Sequence, residues 1–313
     1  MTAEHQPVLL EKAVRNLRID PDSILVDATF GGGGHARRIL GELGEGGRLI
    51  AIDRDPDAAE RASLLSDERF QFSQGPFDEA LWSLVEAEKR VDAVLFDLGL
   101  SSYQIDERER GFSYVGEGPL DMRMDPTSGI SAADYLNTVD PGELAQVLTS
   151  YGDVPRGQAR RITQEISRSR PLKTTSDLLD IVRAAVGWVE RGGNPAKRVF
   201  QAVRVQINDE LGSLTRALDA TERLLVAGGR LVAITFHSGE DRIVKRFIAD
   251  RTGRCVCPPD LPVCACGAEP VFRKGPVIEP TDGERRENPR SASARLRVAY
   301  RTDRPGSDVD GDS

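Results

Sequence analysis

The chain has 313 residues, enough for one large domain or two smaller ones, with a hydrophobic fraction of 39% that is ordinary for a soluble globular protein. No apolar run is long enough to span a bilayer, and the opening Met1-Thr-Ala-Glu-His-Gln-Pro7 lacks the basic and apolar regions of a secretory leader, so a cytoplasmic protein is expected. A net charge of −8 argues against indiscriminate nucleic-acid binding but leaves room for local basic surfaces.

The first strand is expected over 24–30, where Val26-Asp-Ala-Thr-Phe30 runs into Gly31-Gly-Gly-Gly34 and His35. A helix pattern follows, then a second strand over 48–53 that ends in Asp53. This is the layout of a nucleotide-type cofactor site: glycines let the backbone approach a ligand, and a carboxylate about 20 residues on can hold ribose hydroxyls. Gly31-x-Gly33-x-x-Ala36 also satisfies the dinucleotide fingerprint in its Gly/Ala form, so the motif by itself leaves the cofactor open.

A third strand is expected over 70–74, followed by Pro76-Phe77, and a fourth over 93–98, which runs into Asp97-Leu-Gly-Leu-Ser-Ser102. Strands alternating with helix-length segments predict βαβ units, hence an α/β, doubly wound, mostly parallel sheet. Helical periodicity then dominates for more than a hundred residues, over 141–151, 158–168, 176–186 and 196–225. Regular crossovers are much shorter, so 105–195 is expected to be an inserted helical domain. The segment 196–225 is expected to be one crossover helix, stopped by Gly228-Gly229. A fifth strand over 230–236 precedes His237-Ser-Gly-Glu-Asp-Arg242, where Ser238 is expected to cap a helix. A last strand pair is expected over 271–273 and 294–301, and 304–313 as a disordered acidic tail. The sheet domain thus comprises 1–104 and 196–303.

In such sheets ligands bind beyond the carboxyl ends of the strands. Gly31–His35, Asp53, Phe77, Asp97 and His237 all fall there, including two of the three histidines of the chain. Between Arg156 and Lys173 six basic residues stand against one Glu, which reads either as a solvated helix face or as a nucleic-acid surface. All four cysteines cluster as Cys255-Val-Cys257 and Cys264-Ala-Cys266. Tetrahedral zinc, reduced thiols and a redox-sensitive pair remain open for them.

At this point the chain resembles a known family, the S-adenosylmethionine-dependent methyltransferases of small-subunit ribosomal RNA called RsmH or MraW. The resemblance rests on ordered blocks from residue 5 to about 301. They include His5-Gln-Pro-Val-Leu-Leu10, Asp27-Ala-Thr-Phe-Gly-Gly-Gly-Gly-His35, Asp53-Arg-Asp-Pro56 and Phe96-Asp-Leu-Gly-Leu-Ser-Ser102. Further on come Gly118-Pro-Leu-Asp-Met-Arg-Met-Asp125, Phe200-Gln-Ala-Val-Arg204, Phe236-His-Ser238 and Asn288-Pro-Arg-Ser291.

The resemblance implies a class I, Rossmann-like methyltransferase that methylates the N4 amine of a cytidine in the decoding region. It implies cofactor contacts from Gly33, Gly34, His35, Asp53, Phe77, Asp97 and Gln104. The residue that polarises the amine is open, with Asp97 the first candidate, Ser101, Ser102 and His237 next, and His5 and Asp121 behind them. Arg156, Arg160, Arg161, Arg168, Arg170 and Lys173 in the insert become candidate contacts to ribosomal RNA within the small subunit. The resemblance implies no metal; a structural zinc on the four cysteines is a separate possibility. Two rival functions stay on the page: an NAD-dependent small-molecule oxidoreductase, which the glycine fingerprint permits, and a catalytically silent RNA-binding factor in ribosome assembly. The discriminating feature is the whole-chain set of blocks together with the helical insert.

Overall fold

The computed structural model describes residues 7–187, 195–253 and 270–303. The cysteine cluster and the 304–313 tail lie outside the described residues. The chain divides into two compact units, Met1–Gly99 with Leu211–Ser313, and Leu100–Glu210. No helix among the described residues is long and apolar enough to cross a membrane.

The first unit opens with α1 (Leu10–Leu17) and then alternates strand and helix: β1 (Ile24–Asp27), α2 (Gly34–Leu40), β2 (Arg48–Asp53), α3 (Pro56–Ser63), β3 (Phe70–Gln74), α4 (Phe77–Glu86) and β4 (Val91–Asp97). The chain re-enters this unit after the second one. The helical unit consists of α5 (Ser102–Asp106), α6 (Ala132–Thr138), α7 (Pro141–Gly152), α8 (Arg156–Ser169), α9 (Thr175–Val186) and α10 (Pro195–Ile207). Return is by α11 (Glu210–Leu224), followed by β5 (Leu225–Thr235), α12 (Ser238–Asp250), β6 (Phe272–Ile278), α13 (Asp282–Glu287) and β7 (Arg295–Arg301).

The seven strands form one sheet in the order β3-β2-β1-β4-β5-β7-β6, with β7 antiparallel to both of its neighbours and the other pairs parallel. Winding runs outward from β1 through β2 to β3, and outward from β4 to β5 on the other side. The direction therefore switches between β1 and β4. Both sheet faces are covered, which is why the middle of β4, residues 93–96, reads as an unbroken apolar run. Ala93 and Leu95 pack with α1 and α2 on one face, whereas Val94 and Phe96 pack with α11 and α12 on the other.

Three expectations about the return to the sheet need correction. The 196–225 segment is two helices, and the first, α10, packs within the helical unit. Gly152 in α7 permits that packing, because a Cβ there would lie 2.5 Å from the Arg198 carbonyl oxygen of α10. The unit boundary therefore falls at Glu210, not at 195, and on the other side at Gly99. Gly228 and Gly229 do not stop a helix: α11 passes at Leu224 straight into β5. They lie in an irregularity where Leu225 pairs with Val91 and Arg230 with Ala93, and Gly228 takes φ 78°.

The helical unit has its own core, including Leu144, Leu148, Ile162, Ile166, Val199 and Phe200. The 121–125 stretch is a loop pinned from inside this unit. Asn208 accepts from Met124 N at 2.8 Å and donates to Met122 O at 2.8 Å, and Met122, fully buried, is held at φ 59°.

Candidate active site

Three strands of the first unit end in an aspartate: β1 in Asp27, β2 in Asp53 and β4 in Asp97. The polypeptide beyond β1 stays laced to its neighbours, with Ala28 N donating to Leu95 O and Phe30 N to Ile52 O, both at 2.9 Å. It then turns through Gly31 and Gly33 at φ 53° and 76° into α2. A Cβ at Gly33 would meet the Phe30 ring at 2.8 Å, and one at Gly34 would meet Pro7 Cγ at 2.1 Å. Close packing within the loop and against the 7–9 segment thus demands these glycines even before any ligand is considered.

Asp53 ties this loop to β2. Its Oδ2 accepts from Gly31 N at 2.7 Å and its Oδ1 from Asp55 N at 2.9 Å. Each carboxylate oxygen keeps a further lone pair for a ligand hydroxyl. Burial raises the Asp53 pKa, while the two backbone donors and the Arg61 charge oppose the rise. Arg61 also donates from Nε to Gly31 O at 3.1 Å, and Arg37 to Gly32 O at 2.9 Å, which fixes the carbonyls of the turn.

Asp97 sits across the switch point from Asp27. Its backbone N–H donates to Thr29 Oγ1 at 2.6 Å, and Thr29 N donates to Asp27 Oδ1 at 3.2 Å. Asp27 is fully buried, and desolvation pushes its pKa up to about 7. The Asp97 carboxyl is raised well above the usual carboxylate range, first by desolvation and then by the Asp27 and Glu240 charges. Its side chain remains 24% exposed, so the group is reachable. His35 on α2 lies with Nδ1 3.5 Å from Asp97 Oδ2. Burial drives the His35 pKa down to about 4, so the ring is neutral at pH 7.

His237, not Ser238, caps α12. Its Nδ1 accepts from Gly239 N at 3.2 Å, and Glu240 at the third helical position returns Oε2 to Phe236 N at 2.7 Å and His237 N at 3.2 Å. With Nδ1 accepting, a neutral His237 ring carries its proton on Nε2. That atom lies 3.2 Å from Glu240 Oε1, a close polar contact without the alignment of a full hydrogen bond. Phe77 opens α4 half-buried and packs edge-on against Phe96, with ring centroids 5.7 Å apart. Asp27 and Glu240 were not among the expected site residues. The rule that located Asp53 and Asp97, an acid at a strand end, applies equally to Asp27. Glu240 was hidden because its spacing was assigned to a cap centred on Ser238.

In the helical unit, Ser101 and Gln104 form a capping box on α5: Gln104 N donates to Ser101 Oγ at 3.2 Å and Ser101 N to Gln104 Oε1 at 3.1 Å. Of the basic candidates, Arg156, Arg160, Arg161, Arg168 and Lys173 are exposed. Arg156 and Arg160 line a groove of about 470 Å³ between α7 and α8, together with Gly142, Gln146 and Gln164. Arg170 is engaged internally. Its guanidinium donates to Leu136 O at 2.8 Å and Val139 O at 2.6 Å, covering carbonyls at the end of α6.

An acid-lined strand edge at a switch point, opened by a left-handed glycine turn, is shared by many nucleotide-cofactor enzymes. The sequence match narrows the field: a model of the MraW methylase family matches residues 2–302. The chain belongs to that family. It is 66% identical over 304 residues to the ribosomal RNA small subunit methyltransferase H of Rubrobacter xylanophilus, covering 97% of both chains. It is 47% identical over 305 residues to the protein of the same name from Hydrogenovibrio crunogenus, covering 96% of this chain and 97% of that one. An rRNA methylase structure from Streptococcus thermophilus aligns over 96% of this chain and 99% of its own at 12% identity and TM-score 0.42. The fold assignment itself stands on the strand order. The protein is a methyltransferase of the MraW family, with a Rossmann-like sheet of mostly parallel strands.

Proposed function

We propose that this protein transfers a methyl group from S-adenosylmethionine to the exocyclic N4 amine of a cytidine in the decoding region of small-subunit ribosomal RNA, presented within the small subunit. Family membership and the names of the relatives support the RNA substrate. The observation that carries the cofactor is the strand edge. Asp53 offers acceptor lone pairs beside the glycine turn, while Asp27 Oδ2 and Asp97 Oδ1 are buried acceptor atoms with no donor among the described residues. Such an edge suits a ligand with ribose hydroxyls and a positive charge.

Bound S-adenosylmethionine supplies an electrophilic methyl group on a sulfonium sulfur. The residues contribute position and electrostatics, which dominate catalysis of an in-line displacement. Asp53 would hold the ribose hydroxyls, Phe77 the adenine face, and Gly33, Gly34 and His35 the methionine end, and the family resemblance adds Gln104. An amine that takes up a methyl group must also give up a proton. Asp97 is the favoured acceptor, being raised in basicity and partly exposed. His237 is less suited, because its Nδ1 already accepts from Gly239 N. The Ser101 hydroxyl is likewise an acceptor within its cap. Arg156, Arg160, Arg161, Arg168 and Lys173 take RNA phosphates, and Arg170 holds the unit that carries them.

The test is a methyl-transfer assay on small subunits purified from a strain lacking the enzyme, with mass spectrometry of the modified nucleotide. One N4-methylcytidine per subunit is expected. Methylation elsewhere on the base, or none, overturns the assignment.

A further inference from the structure

The C-terminal ends of β1 and β4 bring two carboxyl groups to the switch point of the sheet, and no cation among the described residues of the first unit bears on them. Thr29 ties the two residues together, its N–H donating to Asp27 Oδ1 and its Oγ1 accepting from the Asp97 backbone N–H. Asp27 Oδ2 and Asp97 Oδ1 are both buried and receive no hydrogen bond from the described residues. The groups of the first unit that face the pair are accounted for element by element. From β2 comes Asp53, another acid, which bears on Asp27. From α12 comes Glu240, also acidic, whose Oε2 is held by two backbone N–H groups. From α2 comes His35, whose Nδ1 is 3.5 Å from Asp97 and whose buried ring stays neutral. Arg61 on α3 bears on Asp53 and the Gly31 carbonyl.

Two neighbouring carboxyls, one enclosed and the other with a buried oxygen, cannot both ionise cheaply without a counter-charge. The empty protein therefore keeps a proton on the pair. A sulfonium is a fixed positive charge, and the thioether left after methyl transfer is neutral. We propose that Asp27 and Asp97 act as one charge-reading pair: it holds a proton in the free protein, gives it up to a sulfonium cofactor, and holds it against the thioether product. This inference rests on the reading of the first unit as the S-adenosylmethionine site.

The proton count closes over the cycle. Cofactor binding expels one proton from the pair to solvent. In the transfer step the S–CH3 bond breaks, the C–N bond forms, and the proton leaving the amine passes to the Asp97 carboxylate. The pair is again singly protonated when the sulfur becomes neutral, so product departs from a site already in its resting state. Asp27, completely enclosed, is then a positioning residue that acts through Asp97.

Calorimetric titration of the full chain with S-adenosylmethionine and with S-adenosylhomocysteine, each in phosphate and in Tris at pH 7, reads the protons directly. Proton release is expected for the sulfonium ligand and not for the thioether. Affinity for S-adenosylmethionine should rise about tenfold between pH 6 and pH 8, as expected for one coupled proton, with affinity for S-adenosylhomocysteine nearly flat. In Asp27→Asn the difference between the two ligands in proton release should vanish; circular dichroism melting establishes that the variant is folded, and Asp97→Asn provides a second variant. Both ligands binding with equal proton release overturns the charge-reading pair and leaves the cofactor assignment standing. Neither ligand binding to folded wild-type protein overturns both.

Discussion

Asp53 holds the glycine turn and the start of α3 at once, through Gly31 N and Asp55 N. Removing its carboxylate also removes the charged acceptor proposed for the ribose. Asp53→Ala should weaken S-adenosylmethionine binding by roughly 2–4 kcal/mol, about 30- to 1000-fold in Kd. Calorimetry giving a Kd within twofold of wild type would remove Asp53 from the site. Asp27 makes a prediction about stability. Its pKa is raised from 3.8 to about 7 in the folded protein, so the native state binds the proton more tightly than the unfolded chain. Stability then falls as pH rises from about 4 to about 7, by at most about 4 kcal/mol, and is flat above. Asp27→Asn cannot ionise and escapes that loss. The melting temperature of the variant relative to wild type should climb across pH 4–7 and level off by pH 8. His35 titrates in the same range with opposite sign, its folded pKa being lowered to about 4, but its contribution is common to both proteins and cancels in the difference. A difference that does not change with pH would show that Asp27 is ionised in the fold.

At the level of elements, α8 separates two kinds of arginine that look alike in sequence. Arg160, Arg161 and Arg168 are exposed, and Glu165 lies 3.6 Å from Arg168. Replacing all three with Gln should weaken binding to small subunits and flatten its salt dependence, since each phosphate contact contributes through counterion release. Cofactor affinity should not change. Arg170→Ala should instead lower the melting temperature, because the α6 carbonyls of Leu136 and Val139 lose their donors, at a cost of about 1–3 kcal/mol. Subunit-binding isotherms over a salt series and thermal melts distinguish the two outcomes. An unchanged salt slope in the triple variant would move the RNA surface off α8. Helix periodicity made α7, α8 and α9 legible almost to their ends. It could not show that α10 belongs with them, because an amphipathic stripe does not name the neighbour that buries it. The cap on α12 was misassigned for a related reason: Ser is a common N-cap, and only the folded geometry reveals that the imidazole of His237 takes the Gly239 N–H.

For the whole molecule, cofactor binding and folding are linked. S-adenosylmethionine at about 100 times Kd should stabilise the native protein by about 2.7 kcal/mol and raise its melting temperature, and the α8 triple variant should show the same shift. No shift for wild type at saturating cofactor would contradict the assignment of the site. The sequence by itself determined the alternation of strands and helices, the helical insertion after β4, and the strand ends at which Asp53, Asp97 and His237 fall. These follow from local patterns, since period-two and period-3.6 burial and turn-forming glycines are written in short windows. Only the tertiary structure decided that α10 joins the helical unit, that Arg170 turns inward, and that Asp27 and Asp97 meet across the β1–β4 switch with no cation from the described residues between them. Those facts depend on which elements become neighbours. A carboxylate remote in sequence changes another's ionisation only once strand order has brought both out of water and close together.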